Sequence, residues 1–181
     1  MIDFWPHVEH FKNTIKNTWL TPRGIMLSEG FALMSLMRHF DIELMVESGV
    51  AYGGSTELMA IGTNKPIIGI DTFQQYENSY EYSKRRMSKY KNVLLVKGDS
   101  FVEIPIILNN FRGEKVGLFI DGPKGIEAIE LAEQAHYHDR RIKFICIHDI
   151  KYKSRYAKQC RNLFKDVIFT DNPDGYFSDV R

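Results

Sequence analysis

The chain has 181 residues, 44% of them apolar types, which is the length of one domain with room for a substantial core. Lys and Arg number 24 against 23 Asp and Glu, a formal charge of +1 that offers no general electrostatic attraction to nucleic acid or to an anionic membrane. Cys146 and Cys160 make no close metal-type pair, no run approaches the ~18 apolar residues of a membrane span, and MIDFWPHVEHFKNTIK lacks a signal-peptide core, so a soluble protein in the reduced cytoplasm is expected.

Residues Ile2 to Leu20 mix aromatic and polar types, with Phe4, Val8, Phe11, Ile15 and Leu20 loosely spaced as a helix face. Thr21, Pro22, Arg23 and Gly24 read as a turn. Ser28 then precedes Leu33, Leu36, Met37 and Phe40 at i, i+3, i+4 and i+7, the pattern of a core-facing helix. Residues 1–40 are therefore expected as a helical cover on an α/β core of residues 41–181, the whole forming one domain.

From Asp41 onward short apolar runs alternate with helical stretches. The runs are Ile42 to Val46, Ile67 to Ile70, Val93 to Val96, Val116 to Ile120 and Phe144 to Ile147, each near-continuously apolar, as strands buried on both faces of a parallel sheet are. Ser55 to Gly62, Tyr76 to Tyr90, Phe101 to Phe111 and Ile126 to Asp139 are the intervening helices. This alternation predicts a doubly wound α/β domain with right-handed crossovers. KRRMSKYK near Lys84 reads as the exposed side of a crossover helix, and His136 and His138 as surface residues. In the tail, Lys153 to Phe164 looks helical and Val167 to Thr170 strand-like. Asn172 to Gly175 is a strong turn signal ahead of Tyr176 to Val180. A tight turn there implies an antiparallel edge strand, giving a mainly parallel sheet of seven strands with helices on both faces.

The stretch from Leu44 to Ala60, LMVESGVAYGGSTELMA, joins an apolar run, an acid, a glycine-rich turn and a helix. Small residues let backbone N–H groups approach a ligand, and the helix start offers more donors. Glu47 lies ahead of Gly49, where a carboxylate would face ribose hydroxyls and not a pyrophosphate. Further acids close the later runs: Asp71, Asp99, Asp121 and Asp149. In a parallel sheet these termini share the carboxyl edge, where ligands bind. Each acid alone reads equally as a helix cap or turn former.

Glu47, Gly49, Gly53 and Gly54 in VESGVAYGGST, Asp71 in IIGIDTF, Asp99 in VKGDS and Asp121 in LFIDG resemble the successive motifs of class I S-adenosylmethionine-dependent methyltransferases, over roughly Ser28 to Asp149. The E-x-G-V-A-x-G-G-S form is similar to the small-molecule and sugar O-methyltransferases, including the macrocin-type and cephalosporin-hydroxylase-like groups. The commoner motif has glycine where this chain has Ala51. The resemblance implies a Rossmann-like fold and a set of cofactor contacts. Glu47 and the backbone from Gly49 through Ala51 and Tyr52 to Gly53, with Ser55, would hold the methionine portion and border the ribose. Asp71 would accept from the ribose hydroxyls, Thr72 and Phe73 would flank the nucleoside, and Asp99 and Ser100 would sit by the adenine, with Asp121 at the cofactor's edge.

Methyl transfer to oxygen needs an in-line approach and removal of the acceptor proton by a base or its acidification by a metal. Asp121-Gly122-Pro123-Lys124 matches the D-x-x-K spacing of metal-dependent catechol-type enzymes, in which the lysine can act as base; a solvated loop lysine is the alternative. Where those enzymes carry an Asp-Asn pair this chain has His148-Asp149. Asp121, His148 and Asp149 can supply ligands to Mg²⁺ or Mn²⁺, or His148 can be the base, its unperturbed pKa of about 6.5 being well placed. A hydrogen-bonded strand-end histidine is the plain alternative. Lys151, Lys153, Arg155, Lys158 and Arg161 form a basic stretch suited to an acidic substrate or simply to a solvated helix face.

Two rival readings stand beside S-adenosylmethionine-dependent O-methylation of a small hydroxylated acceptor. Gly49, Ala51 and Gly54 with Asp71 also reproduce a degenerate dinucleotide fingerprint, as in an NAD(P)-binding oxidoreductase. The second rival is a non-catalytic, cofactor-binding descendant of the fold. A small-molecule partner is expected, nucleic acid and membrane are not, and homo-oligomerisation is left open.

Overall fold

Each of the five apolar runs between residues 42 and 147 forms a strand in the structure, a computed structural model that describes residues 2–16, 25–167 and 169. The strands are β1 (Leu44–Ser48), β2 (Ile67–Asp71), β3 (Val93–Lys97), β4 (Val116–Ile120) and β5 (Ile142–Ile147). They pair in the order β3-β2-β1-β4-β5, every pairing parallel. Successive strands step outward from β1 in one direction and then, from β4, in the other. The reversal lies between β1 and β4, the switch point at whose carboxyl end ligands bind in open α/β sheets. β1 and β4 are buried along their whole length, whereas the described edge strands β3 and β5 are only partly covered.

Among the described residues seven α-helices surround this sheet: α1 (Val8–Ile15), α2 (Leu27–His39), α3 (Gly54–Gly62), α4 (Ser79–Met87), α5 (Ser100–Asn110), α6 (Ile126–His138) and α7 (Arg155–Leu163), with a 3-10 turn at Trp5–His7 ahead of α1. Strand alternation divides the core into two layers. Met45, Ile67 and Phe119 pack with Phe11, Leu33, Met34, Leu58 and Met59 beneath α1, α2 and α3. Leu44, Val46, Ile70, Leu118 and Ile120 pack with Ile104, Leu108, Leu131 and Ala132 beneath α5 and α6. The expected Rossmann-like α/β architecture, with helices on both faces, is the one observed.

The differences lie at element ends. α2 starts one residue before Ser28. Met26 is its cap residue, and the Glu29 side chain reaches back to accept from the Met26 N–H at 2.7 Å, so a carboxylate and not a serine fixes the first turn. α4 begins at Ser79 because Asn78 takes a left-handed φ of 58°. The expected turn at Thr21–Gly24 lies outside the described residues. So do the expected sixth and seventh strands, apart from Val167 and Phe169, which belong to no strand. The described sheet therefore has five strands and no antiparallel member. No helix among the described residues is long and apolar enough to cross a membrane.

Candidate active site

The hydrogen-bond ladder runs past the carboxyl ends of the strands and aligns the loops that follow. Gly49 donates to the Ile70 carbonyl at 2.8 Å, Asp121 and Gly122 both donate to the Ser48 carbonyl at 2.7 and 2.9 Å, and His148 donates to Ile120 at 2.9 Å. The Ser48 hydroxyl pairs with Ser100 Oγ at 2.6 Å and donates to the Gly122 carbonyl. Ser48, fully buried, thus ties together the loops after β1, β3 and β4.

The glycine-rich turn has positive φ at Gly49, Ala51 and Gly53. Gly49 has φ 91°, and a Cβ there would lie 2.5 Å from the Gly122 backbone nitrogen. Ala51 has φ 47°, the left-handed region that disfavours a Cβ, which gives a physical reason for glycine in the commoner motif. What holds Ala51 there is Asp71. One of its carboxylate oxygens accepts from Val50 N at 2.9 Å and Ala51 N at 2.8 Å, and the other accepts from Phe73 N at 2.6 Å. Two aromatic pairs border this turn, Tyr52 stacked on Tyr76 with centroids 5.6 Å apart and Phe73 against Tyr80 at 4.9 Å. Thr72 is exposed beside them.

Glu47 departs from expectation. Its side chain is fully buried, and its two carboxylate oxygens accept from the Ser55 and Thr56 hydroxyls in the first turn of α3. Burial, with the nearby charges of Asp121 and Asp71 adding to it, outweighs those hydrogen bonds and pushes its pKa up to about 8. Glu47 and Ser55 are therefore turned toward each other. Glu47 fixes the helix that follows the turn, as a carboxylic acid at neutral pH. Asp99 also has a local partner: it is exposed, and it caps α5 by accepting from Phe101 N at 2.8 Å. Asp149, by contrast, is no cap; α7 is capped by Ser154.

Asp121, Lys124, His148 and Asp149 come together at the ends of β4 and β5. The Lys124 ammonium bonds Asp121 Oδ1, lies 2.9 Å from Asp149 Oδ2, and lies 3.1 Å from His148 Nδ1. His148 Nδ1 is 2.6 Å from Asp121 Oδ1, and its Nε2 is 3.1 Å from Glu29 Oε2 on α2. The hydrogen bonds with Asp121 and then Glu29 raise the His148 pKa to about 10 against the opposing effect of burial. Burial by itself would lower Lys124, but the hydrogen bonds and charges of Asp121 and Asp149 outweigh it and raise its pKa. The expectation of a histidine near its ordinary pKa is thus corrected: flanked by two carboxylates, His148 is an imidazolium at neutral pH, and Lys124 is an ammonium. Asp121 Oδ2 accepts no hydrogen bond among the described residues, which leaves one carboxylate oxygen open.

Two site residues escaped the sequence. Glu29 comes from the N-terminal cover, 119 residues from His148, and the only local signal for it was its place three residues after Met26. Arg86, expected on an exposed helix side, is half-buried, with its side chain only 9% exposed. Its guanidinium bonds Glu57 Oε2 at 2.6 Å and the Tyr52 carbonyl at 3.2 Å, pinning α4 and the glycine turn to α3. His136 and His138 are exposed, as expected, and the two cysteines are free.

No family model matches the chain, and no curated protein matches its sequence significantly. Solved structures match its fold. The SAH-bound methyltransferase PaMTH1 of Podospora anserina superposes with a TM-score of 0.52 at 18% identity, covering 77% of this chain and 60% of that one. A caffeoyl-CoA O-methyltransferase candidate from Staphylococcus aureus gives 0.52 at 14% identity, over 87% of this chain and 76% of that one. The O-methyltransferase of Bacillus cereus in complex with SAH gives 0.50 at 17% identity, over 70% and 61%. This chain thus spans less than two thirds of the Podospora and Bacillus proteins. At these identities the likeness is one of fold.

Proposed function

We propose that the chain is an S-adenosylmethionine-dependent methyltransferase that methylates an oxygen of a small hydroxylated acceptor. The observation that carries this reading is the Asp71 carboxylate folded into the glycine turn at the carboxyl edge, beside a charged cluster on β4 and β5. A nucleoside with a cationic sulfur matches that placement. Backbone N–H groups and acids border the nucleoside end, and carboxylates border the sulfonium. The fold shared with two SAH-bound proteins supports the same reading.

In this reading Asp71 exchanges part of its bonding to the turn for the two ribose hydroxyls, and Thr72, Phe73 and Tyr52 flank the nucleoside. Asp99 and Ser100 lie toward the adenine. Glu47 acts indirectly, by holding Ser55 and Thr56 so that the turn and α3 keep their shape. The acceptor hydroxyl donates to the open oxygen of Asp121, which orients it toward the methyl group and takes its proton, while the protonated Lys124 and His148 hold that carboxylate in place. A seventh-strand completion of the sheet by residues 167–180 belongs to the same reading.

Asp121, His148 and Asp149 bring two carboxylate oxygens and an imidazole nitrogen within 4.8 Å of one another, a donor set that suits Mg²⁺ or Mn²⁺. A divalent cation held there would acidify the acceptor hydroxyl. The Lys124 ammonium is bonded to two of the same groups and close to the third, so it competes with such a cation for them.

Calorimetry tests the cofactor. S-adenosylmethionine and S-adenosylhomocysteine are expected to give saturable heat and NADH none; the reverse result would overturn the proposal in favour of an oxidoreductase. A screen of sugars, catechols and other hydroxylated metabolites, with and without Mg²⁺, separates an enzyme from a cofactor-binding descendant, which would bind without turnover.

A further inference from the structure

The turn ahead of α3 is gripped from two sides by groups of opposite charge. Gly53 N closes it by donating to the Val50 carbonyl at 2.8 Å, and the Asp71 carboxylate takes its amide side through Val50 N and Ala51 N at 2.9 and 2.8 Å. Its carbonyl side faces α4, where the Tyr52 carbonyl accepts from Arg86 at 3.2 Å.

Arg86 reaches the turn from the last turn of α4. Its Nε and Nη2 meet Glu57 Oε2 at 2.7 and 2.6 Å, while Nη1 meets Tyr52. The Glu57 side chain is only 5% exposed. Burial by itself would raise the Glu57 pKa, but hydrogen bonds from Lys89, Tyr90 and Arg86 outweigh it and lower it, so Glu57 is a carboxylate at neutral pH. That buried charge fixes the guanidinium, and the planar fork carries the fixed geometry across to the Tyr52 carbonyl. α4 also packs on the turn directly. The Tyr82 ring meets the Tyr52 ring edge to face with centroids 5.5 Å apart, and a Cβ on Gly53 would lie 3.2 Å from Met87 Cε.

We propose that Arg86 is a positioning residue of the cofactor site: by holding the Tyr52 carbonyl from α4, it keeps the Val50–Gly53 turn in the shape that meets Asp71, and so sets cofactor affinity. This rests on the cofactor reading above. Lysine cannot replace it, because an ammonium directs its donors from one point and lacks the fork that spans Glu57 and Tyr52.

Amide hydrogen exchange and calorimetry on the full chain test this. Arg86→Lys keeps a cation beside Glu57 but loses the bond to Tyr52. Its Val50 and Ala51 amides should exchange about tenfold faster and S-adenosylhomocysteine should bind about tenfold more weakly, the loss of one hydrogen bond to a charged group, while the amides of β4 keep their protection. A role in stability alone would lower the melting temperature and leave the affinity of the folded protein as it was. Lys89→Gln is the control: it removes the exposed cation 3.0 Å from Glu57 Oε1 and should leave both readouts unchanged. In the natural protein the Arg86 Nε–H resonance should shift on saturation with S-adenosylhomocysteine, a readout that needs no variant. The proposal is overturned by unchanged exchange at Val50 and Ala51 or unchanged affinity in Arg86→Lys, by an equal loss of affinity in Lys89→Gln, or by an Arg86 resonance that stays still. A natural protein that gives no heat with S-adenosylhomocysteine overturns the proposed function instead, and the exchange rates then decide whether Arg86 holds the turn.

Discussion

Glu29 Oε2 stands 3.1 Å from His148 Nε2, and through that contact the N-terminal cover reaches the end of β5. The same oxygen accepts from Met26 N at 2.7 Å, so one carboxylate both starts α2 and holds the imidazolium. Its pKa is lowered, because the hydrogen bonds from His148 and Met26 outweigh burial. Glu29→Ala should cost ~1.5–3 kcal/mol of stability, the range for a hydrogen bond to a charged group, and should reduce turnover while leaving affinity for S-adenosylhomocysteine unchanged. Urea unfolding and calorimetry on the one variant check both halves.

Glu47 makes stability depend on pH. Its pKa is raised from 4.5 to about 8 in the folded protein, so between those values the native state keeps a proton that the unfolded chain releases. Its contribution is fully present below about pH 4.5, falls as pH rises, and is lost by about pH 8. Glu47→Gln removes the titration. The stability of the variant relative to the natural protein should therefore climb across this window, by at most ~1.4 kcal/mol per pH unit. Denaturant melts at several pH values read this directly, and a difference that stays flat contradicts the assignment.

The glycine turn makes opposite predictions at adjacent positions. Gly49→Ala drives a Cβ to 2.5 Å from the Gly122 nitrogen and should destabilise by ~1–3 kcal/mol. Ala51→Gly relieves a left-handed alanine and should stabilise by about 1 kcal/mol. Thermal melts of the two variants should move in opposite directions.

Asp71→Ala removes three hydrogen bonds that shape the turn and, under the proposed function, the partner of the ribose hydroxyls. Affinity for S-adenosylmethionine should fall by ~1.5–3 kcal/mol. Equal affinity in the variant would place the cofactor elsewhere.

Lys124→Ala gives a result that distinguishes a metal site from an ion-pair cluster. Removing the ammonium frees Asp121, Asp149 and His148, so Mn²⁺ should bind more tightly to the variant than to the natural protein, while His148→Ala should weaken it. Electron paramagnetic resonance of free Mn²⁺ measures both, and a Lys124→Ala variant with unchanged or weaker Mn²⁺ binding would contradict the competition.

The strands were legible because burial on both faces leaves near-continuous apolar runs, and Val116 to Ile120 appears in the structure with the very limits read from sequence. The convergence of acids followed from parallel pairing alone. What each acid does there was not legible, since that depends on partners far away in the chain. Asp99 is a cap and Asp149 is not, although both follow a strand after a short gap. Glu47 looked like a ligand contact because it ends a strand at the turn, yet the residues that claim it, Ser55 and Thr56, also lie in the same motif. Arg86 sits in a segment so rich in Lys and Arg that its pairing with the buried Glu57 could not be picked out from composition. Ala51, the departure from the commoner motif, is a left-handed position between two others, Gly49 and Gly53.

Ser48 has a consequence for anyone who would re-engineer this protein. Because its carbonyl and hydroxyl fasten three loops at one buried point, those loops are not separable modules. A graft of one from another protein would have to carry the other two with it. Under the proposed function, acceptor preference is more readily redrawn from the N-terminal cover, whose Glu29 reaches His148 from outside the knot.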